Sequence, residues 1–162
     1  MLRDTPPRKD EAQKSSFDWN HRVQEIAYTA AVKPDTATKT KLLHVLERFC
    51  SAFADRDAEA VMRLFVPDPD VVVITSEEPL IRGQVELRHF LDRYVAGPTT
   101  YSWEWKSHDV STAGPVAWLL AEGTETTASE GRLQQHPYRM TMVLEHHEDH
   151  WLLRQVHGSS PH

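Results

Sequence analysis

The sequence predicts an α+β fold in which helices come first and a long antiparallel sheet follows and packs on them. Apolar residues recur at helical spacing over much of residues 38–96. From residue 101 onward they alternate with polar residues, as in strands with one buried face. Helices that are segregated from an antiparallel sheet define this fold class. We expect the sheet to curve into a cone that leaves a cavity against the helices, the natural place for a small ligand.

The composition excludes several classes of protein. With 162 residues, 40% hydrophobic and 26% charged, the chain is long enough for one globular domain with a core. The formal net charge of -6 argues against a nucleic-acid partner, and no apolar run approaches the ~18 residues that span a membrane. The first residues lack the apolar core of a signal peptide, so we expect a cytoplasmic protein.

The cysteine and glycine content indicates neither a disulfide nor a cofactor. Cys50 is the single cysteine, which excludes an internal disulfide, and it lies among apolar helix positions, which favours a core thiol over a nucleophile. The sequence has no glycine-rich phosphate loop and no Cys-x-x-Cys pair, so we expect no cofactor.

Residues 1–37 are expected to form an N-terminal extension, and residues 38–162 the domain. The extension begins with a polar tail over residues 1–16. Residues 17–31 carry apolar side chains at helical spacing and precede Pro34, which predicts a short helix.

Three helices are predicted within the domain. The first begins near Thr38 and has one apolar stripe, formed by Leu42, Leu46, Phe49 and Phe53. The second is short, with Asp57 as its N-cap. The third begins at Gly83 and ends at Gly97-Pro98.

The strands are predicted from β-branched runs and alternation. Residues 71–75 and 80–82 form a small hairpin, followed by a strand in which Tyr101, Trp103 and Trp105 alternate with polar residues. Residues 116–124 form the next strand, and residues 126–135 are predicted to be a loop. Residues 138–145 and 151–157 form the closing hairpin.

The turn of the closing hairpin decides which side chains face the cavity. A two-residue loop of Glu148 and Asp149 would place His157 opposite Met140 and Gln155 opposite Met142. We favour this arrangement because it keeps the apolar residues on one face.

A three-residue loop over residues 148–150 is the alternative. It would place His157 opposite Thr141 and Ser159 opposite Arg139. Because side chains alternate along a strand, this change of one residue would reverse every face.

His157 and Glu122 are the candidate catalytic residues. Imidazole can donate or accept a proton near neutral pH, and His157 ends the last predicted strand, where the rim of a sheet often meets a ligand. The alternative is a structural histidine bonded to a backbone carbonyl.

Glu122 shares a strand face with Trp118 and Leu120, where a carboxylate could act as a general base. The alternative for Glu122 is a solvated position at the rim.

Further side chains are candidates for ligand binding. Arg139 would bind a carboxylate or enolate oxygen if it faced the cavity, or an acid across a dimer interface if it faced outward. The other candidates are Tyr94, Trp103, Trp118, Met142 and Gln155. The aromatic members of this set could equally fill the core or an interface.

A histidine-rich turn suggests a metal site, but the expected geometry argues against one. His146, His147 and His150 are interspersed with acidic residues. Because neighbours on a strand point to opposite faces, they would not converge on one ion. We therefore expect no metal site.

The predicted order of elements and three local motifs resemble the SnoaL-like branch of the nuclear transport factor 2-like superfamily. The motifs are Phe53-Ala54-Asp55-Arg56-Asp57 with Val61-Met62-Arg63-Leu64-Phe65, Ile81-Arg82-Gly83 with Glu86-Leu87-Arg88-His89-Phe90, and Arg139-x-Thr141-x-Val143-Leu144 with Trp151 and His157-x-Ser159. The resemblance covers roughly residues 38–161.

The resemblance implies a cone-shaped α+β barrel that forms homodimers through the outer face of its sheet. Members of the superfamily include isomerases, cyclases, dehydratases, epoxide hydrolases and non-catalytic assembly domains, so the fold alone does not determine the function. No catalytic set of these members matches this chain, and none is carried over.

We therefore expect a domain that binds a small apolar or carbonyl-containing ligand. If it is an enzyme, the expected chemistry is cofactor-free proton transfer next to a carbonyl, with His157 or Glu122 as the base. Tyr94 or a tryptophan N–H would stabilise the oxyanion. The alternative is a non-catalytic homodimeric assembly or scaffold module.

Overall fold

The computed structural model describes residues 30–76 and 80–161 of the chain. The predicted helix over residues 17–31 lies almost entirely outside the described residues. The helices are α1 (Thr36–Ala54), α2 (Ala58–Met62) and α3 (Gly83–Ala96). The strands are β1 (Val72–Ile74), β2 (Ile81–Arg82), β3 (Thr100–Ala113), β4 (Val116–Ser129), β5 (Arg132–His147) and β6 (His150–Ser159). None of the described helices is both long enough and apolar enough to cross a membrane.

The long helix α1 forms for the reasons that its sequence indicates. The Asp35 side chain caps it by accepting a hydrogen bond of 2.7 Å from the backbone N–H of Thr38. The predicted apolar stripe, which runs from Leu42 to Phe53, is buried against the sheet. Asp57 caps α2 in the same way, with a bond of 2.8 Å from the N–H of Ala60. The predictions of an amphipathic first helix and of the Asp57 cap are confirmed.

The six strands form one curved sheet in the order β2-β1-β6-β5-β4-β3. The four long strands pair antiparallel in sequence order, as predicted. The short strand β1 pairs in parallel with β6, and the sheet does not close into a barrel. We call the face that packs against α1 and α3 the inner face, and the opposite face the outer face.

The prediction of a loop over residues 126–135 is wrong. Strand β4 continues to Ser129 and β5 begins at Arg132, so only Glu130 and Gly131 connect them. Both have positive φ, 50° and 76°, as a tight turn between twisted strands requires. This stretch resembles a loop in sequence because the strands carry polar residues on both faces here.

The closing hairpin has the predicted turn but a different register. His147 pairs with His150, so the two-residue loop is confirmed. The register then shifts by one residue, because Arg154 forms a bulge between Leu153 and Gln155. Beyond the bulge, every side chain of β6 lies on the face opposite to the one predicted.

The predicted pairing of His157 with Met140 is wrong for this reason. His157 pairs with Thr141, the register that we had expected only for a longer loop. Met140 and Val156 are buried on the inner face. His157 therefore lies on the outer face of the sheet.

The bulge forms where a third backbone segment joins the hairpin. The N–H of Leu153 donates to the carbonyl of Leu64 at 2.7 Å, and the N–H of Val66 donates to the carbonyl of Leu153 at 3.0 Å. Leu153 is fully buried at this junction. The segment after α2 thus pairs with β6 at Leu153, and β1 pairs with the next part of β6, from Gln155 to His157.

The Arg154 side chain joins the same three segments by ion pairs. Its Nε and Nη2 donate to the two carboxylate oxygens of Glu145 at 2.6 and 3.1 Å, and its Nη1 lies 3.0 Å from Asp68. The Arg154 guanidinium holds the pKa of Glu145 below its usual range. The backbone N–H of Asp70 and then Arg154 lower the pKa of Asp68.

We expect Arg154→Met to lower the melting temperature by a few degrees at about pH 7 and by much less at about pH 2. The pKa of Glu145 is lowered in the folded state. The ion pair of Glu145 with Arg154 therefore stabilises the fold fully at pH values above the ordinary pKa of glutamate. This stabilisation is lost as the pH falls through the lower pKa that Glu145 has in the folded state. Thermal unfolding followed by circular dichroism across this range measures the effect.

Arg139→Met is the matched control for this experiment. It removes a pair to Glu122 in which both side chains are about half exposed, so we expect a smaller loss. If the melting temperature of Arg154→Met lay below that of the wild type by the same amount at every pH, the ion-pair explanation would be contradicted.

Candidate functional site

A cavity of about 280 Å³ lies between the helices and the inner face of the sheet. Most of its wall is apolar and aromatic. The rings that line it are Phe49, Phe53, Phe90, Tyr94, Tyr101, Trp103 and Tyr138. Its size is near the lower end of ordinary small-molecule sites, and its lining is typical of them.

Arg56 holds helix α3 over this cavity. Its Nη2 donates to the carbonyls of Tyr94 at 2.8 Å and Val95 at 2.7 Å, and also to that of Gly97. These carbonyls lie at the C-terminal end of α3, where the backbone carbonyls lack the full set of helical N–H partners and a cation is favourable. The Tyr94 hydroxyl donates in turn to the carbonyl of Phe53 at 2.8 Å, and burial raises the pKa of Tyr94. The corner between α1 and α2 therefore fixes the cavity wall.

Trp103 lies at the centre of the aromatic wall. Its ring is 5.8 Å from that of Phe53, edge to face, and 6.4 Å from that of Tyr101, nearly stacked. The rings of Phe49 and Tyr138 are 6.3 and 6.2 Å away. Ring pairs at these distances attract each other, so the aromatic side chains of the wall pack against one another.

Glu125 places a carboxylate in this aromatic cavity. It is 5% exposed, and it is the one charged or polar side chain among the buried residues of the described segments. The indole N–H of Trp103 donates to its Oε2 at 2.9 Å. Burying a carboxylate is costly unless hydrogen bonds compensate it, and this bond contributes to that compensation at the cavity wall.

Tyr138 completes the wall because its neighbour on β6 is a glycine. A Cβ atom at Gly158 would lie 2.0 Å from the Tyr138 hydroxyl oxygen and 2.7 Å from the ring carbon that bears it. Tyr138 is 5% exposed and lines the cavity. Only glycine at position 158 leaves room for this ring.

Two of the predicted ligand-binding residues line the cavity, and a third lies on the same face. Tyr94 and Trp103 belong to the aromatic wall. Met142 is buried on the inner face at 1% exposure, but it packs in the core below the cavity and does not line it.

The other predicted residues lie on the outer face. Glu122 pairs across the strands with Arg139, whose Nε donates to its Oε1 at 2.9 Å. Trp118 is 40% exposed on the same face. The bulge turns Gln155 and His157 outward, so Gln155 lies opposite Val143 rather than Met142.

The structure therefore does not bring His157 and Glu122 to the cavity. Their catalytic roles stay predictions. Arg139 faces outward, one of its two predicted orientations, and its described partner is Glu122 in the same chain.

Sequence reasoning missed Glu125 and Tyr138. Leu119, Ala121, Gly123 and Glu125 share one face of β4, so alternation could have found Glu125. The predicted strand ends at residue 124, just before Glu125, so the alternation was not followed as far as this residue.

Two further predictions concern reactive groups. Cys50 is partly buried against the core, and burial raises its pKa to about 11, so its thiolate is scarce near neutral pH, which argues against a nucleophile. In the described part of the chain, no three His, Cys, Asp or Glu side chains are placed to hold a metal ion. His147 bonds instead to Glu145, at 3.0 Å.

Residues 42–162 match the SnoaL-like domain family. The match spans most of the chain, which therefore belongs to this family, a branch of the nuclear transport factor 2-like superfamily. No curated protein matches the sequence.

Solved structures share the fold at low sequence identity. A proposed dehydratase of the NTF2-like family from Streptomyces avermitilis is 20% identical, with a TM-score of 0.70 over 80% of this chain and 99% of the other. An NTF2-like superfamily protein from Salmonella enterica is 16% identical, with a TM-score of 0.71 over 80% and 94%. A proposed scytalone dehydratase from Novosphingobium aromaticivorans is 8% identical, with a TM-score of 0.68 over 78% and 85%.

We expect Gly158→Ala to lower the free energy of unfolding by about 1–3 kcal/mol, because the added methyl group overlaps the Tyr138 ring. Urea denaturation measures this loss. Combining it with Tyr138→Leu removes the overlapped atoms, so the double variant should lose less than the sum of the single variants. Strict additivity would show that the two residues do not compete for this space.

Proposed function

We propose that the protein binds a small carbonyl-containing ligand in the aromatic cavity and transfers a proton at the carbon next to the carbonyl. Such a step would make it an isomerase, a cyclase or a dehydratase that needs no cofactor. Glu125 carries the proposal, because it is a buried carboxylate within an aromatic wall. The fold shared with two proposed dehydratases supports the same class of reaction.

In the proposed reaction, Glu125 acts as the general base. It takes the proton from the carbon, and the electron pair of the C–H bond forms an enolate. Isomerisation follows when Glu125 returns the proton to another carbon of the same ligand. Dehydration follows when the enolate expels a hydroxyl group, which leaves as water with that proton.

Neighbouring side chains would assist this base. Trp103 fixes the orientation of the carboxylate through its bond to Oε2. The hydroxyl groups of Tyr101 and Tyr138 are the neutral donors that we assign to the enolate oxygen, since both tyrosines line the cavity.

The test compares two glutamates on one strand. The probe is 3-cyclohexen-1-one, whose isomerisation to the conjugated ketone is followed by ultraviolet absorbance. We expect Glu125→Gln to slow the catalysed reaction by about 10²–10⁴-fold, the usual contribution of a general base. Glu122→Gln is the matched control, because it removes the same group from the outer face of the same strand.

The alternatives give different results. If only Glu122→Gln slowed the reaction, Glu122 would be supported as the base, as predicted from the sequence, and the role of Glu125 would be overturned. A wild-type protein that does not exceed the rate in buffer would contradict catalysis and favour the non-catalytic assembly module.

We also propose that the chain forms a homodimer through the outer face of its sheet. Trp118 and Leu120, neighbours on one face of β4, are 40% and 38% exposed there. Large apolar side chains clustered on one sheet face are typical of an interface, and a second copy of the chain would bury the same residues by two-fold symmetry.

Light scattering after size exclusion tests the dimer. We expect the wild type to elute at twice 18.6 kDa and Trp118→Glu to elute at 18.6 kDa. Val85→Glu is the control, because Val85 is 69% exposed on α3, away from the sheet. A Trp118→Glu variant that stays dimeric would place the interface elsewhere.

A further inference from the structure

The inner face of the sheet changes from apolar to polar along its length. On β4 it carries Leu119 and Ala121, then Glu125, and then Thr127 and Ser129. The partner strand β5 changes in the same way, from Met142 and Met140 through Tyr138 to His136 and Gln134. The two strands therefore become polar at the same level, which is the level of Glu125.

A second concavity occupies this polar end. It is a cleft of about 560 Å³ and shares Thr99, Tyr101 and Glu125 with the aromatic cavity. The two spaces are therefore contiguous, with the Glu125 carboxylate at their junction.

The lining of the cleft defines the chemistry that it can bind. Thr127, Ser129 and Gln134 supply neutral hydroxyl and amide groups, which both donate and accept hydrogen bonds. The hydroxyl of Thr99 donates to that of Ser129 at 3.2 Å, so these groups already lie at bonding distances. Among the described residues that line the cleft there is no Lys or Arg, which disfavours a phosphate or carboxylate ligand.

We propose that the cleft is a second subsite, which binds the neutral, hydroxyl-bearing end of an elongated ligand whose apolar end lies in the aromatic cavity. This inference rests on the proposed ligand binding in the cavity and adds the class of ligand. Glycosides and polyhydroxylated ring compounds have this character. A ligand bound across both spaces would lie beside Glu125. The carboxylate would then contact the ligand near the boundary between the ligand's apolar and polar ends.

Three naphthalene derivatives separate the two spaces. The probe 2-naphthol tests the aromatic cavity alone, 2-naphthyl β-D-glucopyranoside adds a neutral polyhydroxyl group, and 2-naphthyl phosphate adds a charged one. We expect calorimetry to show that the glucoside binds the wild-type protein about tenfold more tightly than 2-naphthol. The phosphate should bind more weakly than the glucoside.

The chain offers a matched pair of variants. Thr127 pairs with Gln134, and the adjacent residues Thr126 and Gln135 pair in the same way on the outer face. We expect the double variant Thr127→Val with Gln134→Leu to bind the glucoside about tenfold more weakly than the wild type. Its affinity for 2-naphthol should stay within about twofold of the wild-type value. Thr126→Val with Gln135→Leu, which removes the same groups from the other face, should change neither affinity.

The outcomes distinguish this inference from the proposed function. If 2-naphthol binds but the glucoside binds no more tightly, or if both double variants behave alike, the subsite is overturned and the cavity stands. Tighter binding of the phosphate than of the glucoside overturns the neutral class of ligand. If neither 2-naphthol nor the glucoside binds, the proposed ligand binding fails and the subsite fails with it.

Discussion

The one-residue bulge at Arg154 is the constraint on which the cavity depends, because it decides which face of β6 lies against the helices. With the bulge, Val156 and Gly158 face inward and line the cavity. Without it, Gln155 and His157 would occupy those positions and make the wall polar. The ion pairs of Arg154 and the backbone bonds of Leu153 tie the bulge to the segment after α2.

The bulge and the Tyr138 ring depend on each other. The inward position that the bulge gives to residue 158 would normally carry a side chain, and any Cβ atom there would overlap Tyr138. Glycine at 158 therefore makes the altered register compatible with a large ring on β5. On the other side of the cavity, Arg56 fixes Tyr94 through the end of α3. Backbone constraints thus position aromatic side chains on both sides of the site.

The sequence predicts what depends on local patterns and misses what depends on distant contacts. Helix α1, the Asp57 cap and the order of the long strands follow from periodicity and capping, and all are confirmed. The bulge is not predictable in this way, because the segment that pairs with Leu153 lies about ninety residues earlier in the chain. Tyr94 and Trp103 were found from their aromatic character, whereas Glu125 was missed because its strand was predicted to end too early.

Glu125 is difficult to explain as a stabilising residue. A carboxylate on the inner face of a sheet costs free energy to desolvate, even where it accepts a hydrogen bond from an indole. Its position is informative, because it lies where the aromatic cavity meets the polar cleft. A group that only filled space would not need to be charged. A buried carboxylate that the Trp103 indole orients is suited to exchanging a proton with the proposed ligand, which would occupy both spaces.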